Sequence, residues 1–373
     1  MRKINQLDLF SGIGGFHLGF EKAGYKVKSY FSEVDKHAVA VYKHKFKEAE
    51  YVGSVTDVRG TDLPSIDLIT FGSPCQDFSL AGKRKGMEGE RSSLILEAIR
   101  LIGECRPRVF IWENVKGTFS SNSGEDFAAI LQAFANIGGY RLEWQLLNTS
   151  WFLPQNRERI YLVGYSTTTK RNWRGVFPIG KGAKVFNTKE RNKSQRKASS
   201  KVANSIARSL PAHEGYGSED TFVEVRVTDK RGNERDTDKA STLVAGYYKL
   251  PSDADYIKVK SATKSGYETA EEGDSINLSN PNSDTRRGRV GKGKAQTLET
   301  SCNQAAVQDY RIRRLTPIEC ERLQGFPDNH TKYGNYDGEV KKMSNTQRYK
   351  QCGNAVTTDV VQAIAEKIKP LFK

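Results

Sequence analysis

Three short stretches carry residues able to do chemistry. The first, "DLITFGSPCQDFSLAGKRKG" from Asp67 to Gly86, drives a buried-looking strand into Ser-Pro-Cys and then into a loop rich in glycine and positive charge. A cysteine after a strand is commonly just a small buried residue. Cys75, however, follows Pro74 and precedes Lys83, Arg84 and Lys85. A partly open, electropositive setting favours the thiolate, which is the nucleophilic form. The second stretch, "RVFIWENV", pushes Glu113 to the end of an apolar run. A carboxyl group there can give up or hold a proton during a reaction; taken alone, it reads equally well as a helix cap or an ion pair. Nucleophile and acid together suggest covalent addition assisted by protonation. The third stretch, "LDLFSGIGG", turns a strand into a helix through glycines. Its Gly12-x-Gly14 spacing opens like a dinucleotide fingerprint, but His17 stands at the third glycine position, so the full pattern fails and a nicotinamide enzyme is disfavoured. Glu33, ending the next strand-like run, can accept hydrogen bonds from ribose hydroxyls. Loop and acid suit a nucleoside cofactor without a pyrophosphate.

These residues need elements that bring them together. "INQLDLF", "YKVKSYFSEV", "IDLITFG", "RVFIWENV" and "RIYLVGY" read as strands. "GGFHLGFEKAG" (closed by Gly24), "DKHAVAVYKHKF", "SSLILEAIRLIGEC" and "DFAAILQAFANIGG" read as the helices between them. Strands alternating with helices predict an α/β fold, a doubly wound and mostly parallel sheet. In such a sheet the ligand crevice lies outside the carboxyl ends of the strands. The glycine loop, Glu33, Pro74-Cys75 and Glu113 all fall at that one rim.

The pattern changes after residue 165. From Lys170 to Lys201 there are eleven Lys and Arg against one acid. Short alternating runs such as "TFVEVRV" follow, and a polar stretch occupies 252–289, so a smaller, β-rich and irregular domain is expected over 166–305. Helical pattern returns in "LTPIECERLQGF" and in "TTDVVQAIAEKI", whose Val360, Val361, Ile364 and Ile368 share a face behind a Thr/Asp cap. Residues 306–373 are thus expected to return to the first domain, residues 1–165. The net charge of +15 over 373 residues favours a polyanionic partner, nucleic acid before an anionic membrane. Five cysteines without CxxC spacing argue against a disulfide framework or a zinc site. With no signal-like leader and no apolar run long enough to span a bilayer, a cytoplasmic location is expected.

The motifs "DLFSGIGGFHLGF", "GSPCQDFS", "ENV", "QNRERIYLVG", "RRLTPIECERLQGFPD" and "QCGNAV" occur in an order that closely resembles the cytosine-5 DNA methyltransferases of bacteria and phages. The resemblance covers roughly 4–165 and 306–373, with the middle as the variable target-recognition region. It implies a Rossmann-like methyltransferase fold and S-adenosylmethionine held by Phe10, Gly12, Ile13, Gly14 and Gly15, with Glu33 on the ribose. Val34, Ser54, Val55, Pro74 and Leu94 would line the same site, and Asn354 would close it. By the same resemblance Cys75 attacks C6 of a flipped cytosine, and Glu113 bonds N3 and the exocyclic amine. Arg157 and Arg159 hold O2, orient Cys75 and meet the neighbouring phosphate; Lys83, Arg84, Lys85 and Arg91 contact DNA. Ser54 stands where the family commonly has an aspartate on the adenine amino group, a duty left to Asp57 or the backbone. The implied partner is double-stranded DNA, acted on by a monomer in a bacterial or phage-infected cell, with a companion restriction endonuclease that the chemistry does not require. Two other readings are a tRNA cytosine methyltransferase, against which the long basic middle weighs, and a DNA-binding regulator without catalysis, against which the intact Cys75, Glu113 and arginines weigh.

Overall fold

The computed structural model describes residues 2–73, 93–168, 175–180, 225–228, 234–235, 248–249, 257–279, 283, 285–301, 303–308 and 311–372. Seven strands build the main sheet: β1 (Arg2–Leu9), β2 (Tyr25–Ser32), β3 (Glu50–Tyr51), β4 (Leu68–Gly72), β5 (Val109–Val115), β6 (Tyr140–Asn148) and β7 (Glu158–Ser166). Their order is β3-β2-β1-β4-β5-β7-β6. β1 pairs in parallel with β2 and β4, and β4 with β5, while β7 runs antiparallel to β5 and β6. The expected doubly wound, mostly parallel sheet is what forms. Because β2 and β3 lie on one side of β1 and β4 on the other, the winding reverses between β1 and β4. A crevice opens at such a reversal, and the glycine loop leaves from one of these two strands.

Period-2 alternation decides which side chains face which layer. In β5, Val109 and Ile111 join a core with Phe16 and Phe20 of helix α1 (Gly15–Lys22). Phe110 and Trp112, between and beyond them, join the opposite core with Ile95 and Leu101 of α3 (Ser93–Cys105) and with Phe127 and Phe134 of α5 (Glu125–Asn136). Helix α2 (Lys36–Lys45) starts at Asp35, whose carboxylate accepts from the His37 and Ala38 amides. The short α4 (Gly117–Ser120) follows β5. β6 is a strand the sequence reading leaves out. Its sequence "YRLEWQLLN" alternates, yet it sits at a sheet edge where most of its residues are half-exposed, so its apolar signal is weak.

Beyond β7, described strands form two antiparallel sheets. The strands are β8 (Val225–Thr228), β9 (Glu234–Arg235), β10 (Tyr248–Lys249), β11 (Ile257–Lys260), β12 (Tyr267–Ala270), β13 (Ser275–Asn277), β14 (Val290–Gly291), β15 (Gln304–Gln308) and β16 (Arg311–Arg314). The orders are β12-β11-β8-β9 and β10-β16-β15-β13-β14. Ile257 and Val259 of the first sheet share a core with Ile276, Ala305, Val307 and Ile312 of the second. The second sheet therefore runs across position 305 and ends at Arg314.

The chain then returns to the main sheet through α6 (Pro317–Leu323), the hairpin β17 (Tyr333–Tyr336) and β18 (Glu339–Lys342), α7 (Asn345–Asn354) and α8 (Thr358–Ile368). Thr316 and Glu319 make a reciprocal capping box on α6. The Thr357 hydroxyl does not cap α8, as the sequence suggests it should; it bonds Thr149 and Gln324 instead. α8 packs on α1 at Gly19, where a Cβ would stand 2.5 Å from Val361 Cγ1. Among the described residues no helix is long and apolar enough to cross a membrane, and no His/Cys/Asp/Glu group could hold a metal ion.

The returning segment is organised around a buried charge. Glu321 is fully buried, and its carboxylate accepts from Arg348 Nη2 at 2.9 Å, the Thr331 amide at 2.9 Å, the Asn329 amide at 2.7 Å and the Thr331 hydroxyl. Removing one partner of such a pair strands the other in low dielectric, which costs about 3–5 kcal/mol. The Arg348→Met variant should lose stability of that order in urea unfolding. A loss below about 1 kcal/mol would show that the backbone amides alone satisfy Glu321.

Candidate active site

Strand ends set the rim. Phe10 (φ 51°) and Gly12 (φ 55°) turn the chain out of β1 in the left-handed region, which glycine enters freely and phenylalanine at a cost. A Cβ on Gly12 would meet nothing within 4 Å, so the backbone there faces open space. One on Gly14 would strike Phe46 at 2.3 Å, and one on Gly15 would strike Val356 at 2.6 Å. The three glycines thus serve an open cradle and two close contacts. Glu33, just past β2, joins the loop directly. Its Oε2 accepts from the Gly12 amide at 2.9 Å, and its Oε1 accepts from the amides of Val34 and Asp35, each at 2.8 Å. Ser11 Oγ is buried and has no hydrogen-bond partner among the described residues. Val34 is 78% exposed beside Glu33, an apolar surface next to a carboxylate. An unpartnered hydroxyl, an open glycine turn, an acid and a bare aliphatic patch fit a nucleoside with a polar tail.

The remaining expected cofactor residues differ in access. Val55 is buried and Leu94, in the first turn of α3, is half-buried; both belong to the core on the α3 side of the sheet. Ser54 is half-buried, with Oγ 2.9 Å from Thr56 Oγ1, which in turn donates to Asp57 Oδ1 at 3.2 Å. Ile13 is buried against Phe326, Met343 and Ala355, and Asn354 is exposed at the end of α7. Pro74, Cys75, Lys83, Arg84, Lys85 and Arg91 lie outside the described residues.

Glu113, two residues before the end of β5, pairs with Gly72, the last residue of β4, where a side chain at 72 would come within 3.1 Å of Glu113 Oε2. Across the β5/β7 pair, Glu113 and Arg159 are diagonal neighbours on one face. Arg159 Nε stands 3.1 Å from Glu113 Oε1, close enough for charge attraction but off the line of a directed hydrogen bond, so Oε1 is buried without a bonded partner among the described residues. Ser73, the last described residue before Pro74-Cys75, is pinned from β5: its Oγ accepts from Trp112 Nε1 at 3.0 Å and Asn114 Nδ2 at 3.4 Å. Arg157 does not point to the rim. It is buried, and its Nη1 and Nη2 donate to the carbonyls of Gly353 at 3.1 Å and Ala355 at 2.9 Å, on either side of Asn354. Burial and the neighbouring Arg159 charge lower its pKa to about 10, which still leaves it a cation at neutral pH.

Sequence reasoning missed three residues. Gln155 is buried; its Oε1 accepts from the Leu298 amide at 3.0 Å, and its Nε2 donates to the Leu323 carbonyl at 2.9 Å. His330 donates from Nε2 to the Ile13 carbonyl at 2.9 Å. Asp8 lies beneath the glycine loop, where Thr70 Oγ1 donates to it at 2.7 Å and the Tyr42 hydroxyl stands at 3.3 Å. Only Asp8 left a signal, since Gln6 and Asp8 put polar groups two apart on one face of an otherwise apolar strand.

A family described as C-5 cytosine-specific DNA methylase matches residues 4–370. Type II methyltransferase M1.ScrFI of Lactococcus lactis subsp. cremoris is 31% identical, over 98% of this chain and 78% of its own. Orphan methyltransferase M.SPRI of Bacillus phage SPR is 30% identical, over 99% of this chain and 98% of its own. The solved structure of S. pombe Dnmt2 methyltransferase shares the fold, with a TM-score of 0.52 at 19% identity over 99% of each chain.

Asp8 supplies a test of the buried network. Burial, only partly offset by the Thr70 and Tyr42 hydrogen bonds, raises its pKa to about 8. Between its unfolded value, about 3.9, and about 8 the folded chain holds a proton that the unfolded chain has lost. Its contribution to stability is therefore complete below about pH 4 and lost as pH rises through 8. The Asp8→Asn variant lacks this slope. In urea unfolding between pH 5 and 8.5, wild type should lose ground to the variant by at most about 1.4 kcal/mol per pH unit. Parallel profiles would mean that Asp8 does not carry the proton.

Proposed function

The chain belongs to the C-5 cytosine-specific DNA methylases, a family of DNA (cytosine-5-)-methyltransferases, and from that premise we propose that it methylates C5 of a cytosine flipped out of duplex DNA, through a covalent adduct on Cys75. The observation that carries this reading is the Glu113–Arg159 pair at the rim formed by the carboxyl end of β5 and the amino end of the antiparallel β7, beside the strand that leads into Pro74-Cys75. S-adenosylmethionine, the expected donor, supplies a methyl group on a sulfonium. The glycine loop from Phe10 to Gly15 would cradle it, the Glu33 carboxylate would accept from its ribose, and Val34, Ser54, Val55, Pro74, Leu94 and Asn354 would complete the site.

The chemistry explains the residue types. C5 of cytosine is a poor nucleophile while the ring is aromatic. The Cys75 thiolate adds to C6, the C5–C6 double bond opens, and the electron pair made available at C5 forms the bond to the methyl carbon as the C–S bond breaks. Transfer of the C5 proton to water then lets the C5–H electron pair restore the C5–C6 double bond as the C6–S bond breaks and Cys75 leaves as thiolate. Glu113 Oε1, without a bonded partner, is available to N3 and the exocyclic amine, where charge changes during addition. Arg159, half-committed to Glu113, reaches O2. Arg157 we assign to holding the backbone around Asn354. Turning the base out costs a few kcal/mol, supplied by phosphate contacts from Lys83, Arg84, Lys85, Arg91 and the basic stretch beyond residue 170. The region after β7, up to the end of β16 at Arg314 and so past the boundary at 305 expected from the sequence, reads the flanking bases, between the catalytic parts on either side of it; a monomer suffices, and a companion endonuclease is not needed for the reaction.

Transfer of a labelled methyl group to duplex DNA tests this. Cys75→Ser should abolish transfer while DNA binding in a gel-shift assay persists, because a serine hydroxyl is far less nucleophilic at neutral pH. Arg159→Ala should lower kcat on every sequence alike, whereas Arg157→Ala should lower the unfolding midpoint and cofactor affinity together. Near-normal turnover by Cys75→Ser removes the covalent mechanism; a changed target sequence in Arg159→Ala removes the assignment of recognition to the middle region.

A further inference from the structure

His330 lies 317 positions from Ile13 in sequence, yet its imidazole is one of the groups that fix the glycine loop. The ring is 3% exposed and lies 4.5 Å from the Phe326 ring and 6.2 Å from the Phe46 ring, centroid to centroid. A carbonyl oxygen can only accept, so the 2.9 Å contact with Ile13 requires the hydrogen on Nε2. Burial, with Lys45 and His44 nearby and only partly opposed by the Ile13 bond and Glu321, lowers the ring's pKa to about 4. At neutral pH it therefore carries one N–H, and that N–H is committed to the loop.

The ring's place is dictated from behind. The residues on either side of it, Asn329 and Thr331, both donate their backbone amides to the buried Glu321 carboxylate, at 2.7 and 2.9 Å. Arg348 fixes that carboxylate in turn. A rigid turn thus presents Nε2 to the Ile13 carbonyl, while Phe326, Met343 and Ala355 bury the Ile13 side chain. Ile13 sits between Gly12, which faces open space, and Gly14, which closes on Phe46. No other hydrogen bond to its carbonyl is found among the described residues, although the neighbouring Gly14 and Leu18 amides are both satisfied within the loop and helix.

We propose that His330 is a positioning residue for the cofactor, holding the glycine turn in its binding shape through the Nε2–H bond to the Ile13 carbonyl. The proposal rests on the reading of that loop as the S-adenosylmethionine site. Losing the bond leaves a buried carbonyl without a donor and lets the turn relax away from the cradle, so the effect falls on cofactor affinity.

The test is calorimetric binding of S-adenosylhomocysteine to the full chain, with the KM for S-adenosylmethionine as a second readout. His330→Phe keeps an aromatic ring between Phe326 and Phe46 but has no donor; it should weaken binding and raise this KM by about tenfold, with a smaller change in kcat, the size expected for one buried hydrogen bond. His330→Gln places an amide N–H near the same point and should recover most of the affinity. Affinity of His330→Phe equal to wild type overturns the proposal. So does a His330→Gln variant as weak as His330→Phe while as stable as wild type, because the donor would then be irrelevant. If wild type itself binds no S-adenosylhomocysteine, the reading of the glycine loop fails first, and the positioning role fails with it.

Discussion

One buried guanidinium ties the architecture together. Arg157 leaves the loop before β7 and spends its donors on the carbonyls of Gly353 and Ala355, with the Leu298 carbonyl at 3.5 Å. Two residues earlier, Gln155 bonds Leu298 and Leu323, and the Asn156 amide bonds the Ala295 carbonyl at 2.7 Å. Four consecutive positions from Pro154, whose carbonyl accepts from the Ala295 amide at 2.8 Å, to Arg157 thus fasten the main sheet to the segment before β15 and to the returning C-terminal segment. The contact with the segment before β15 is close: a Cβ on Gly353 would lie 2.6 Å from the Glu299 carbonyl carbon. A chain that leaves the main sheet after Ser166 and re-enters it near residue 317 closes a long loop, whose entropy has to be offset by contacts at the closure. A cation against carbonyl oxygens is well suited to this, since charge-assisted hydrogen bonds are about twice as strong as neutral ones.

The same closure shapes the glycine loop from three directions. Glu33 holds Gly12 from the β2 side, Phe46 closes on Gly14 from α2, and the C-terminal segment contributes the Val356 contact at Gly15 and the His330 bond at Ile13. Among the described residues, the Gly12 face is left open. A loop held this firmly loses little freedom when a ligand settles on it, so more of the contact energy appears as affinity. The shape of the loop is consequently not set by residues 10–15 alone, because Phe326, His330 and Val356 of a segment distant in sequence pack against it.

What was legible in the sequence follows the same physical divide. The strand ends, the glycine turn, Glu33 and Glu113 were readable because period-2 apolar runs and the residue types that terminate them are local signals. The motif order identified the family for the same reason. β6 was not legible, since an edge strand buries little. Gln155, His330 and the inward turn of Arg157 were not legible either, because each owes its role to a partner more than a hundred positions away, and no local pattern marks a glutamine or histidine that will be buried against a remote carbonyl. Thr357 shows the converse: local pattern suggests a helix cap, and tertiary partners at Thr149 and Gln324 claimed the hydroxyl.

Charge completes the division of labour. Within the described residues, many charges of the catalytic part are paired: Arg100 with Glu97 and Glu104, Lys22 with Asp359, Lys350 with Asp35, Arg348 with Glu321. By contrast, the stretch from Lys170 to Lys201 has eleven positive residues and one acid to pair with them. Pairing fixes geometry, and an excess of one sign attracts a polyanion at long range. At the rim where chemistry is proposed, Glu113 and Arg159 stand 3.1 Å apart with no directed hydrogen bond between them. The charges are matched there while one carboxylate oxygen keeps its accepting capacity, which is the combination the proposed reaction calls for.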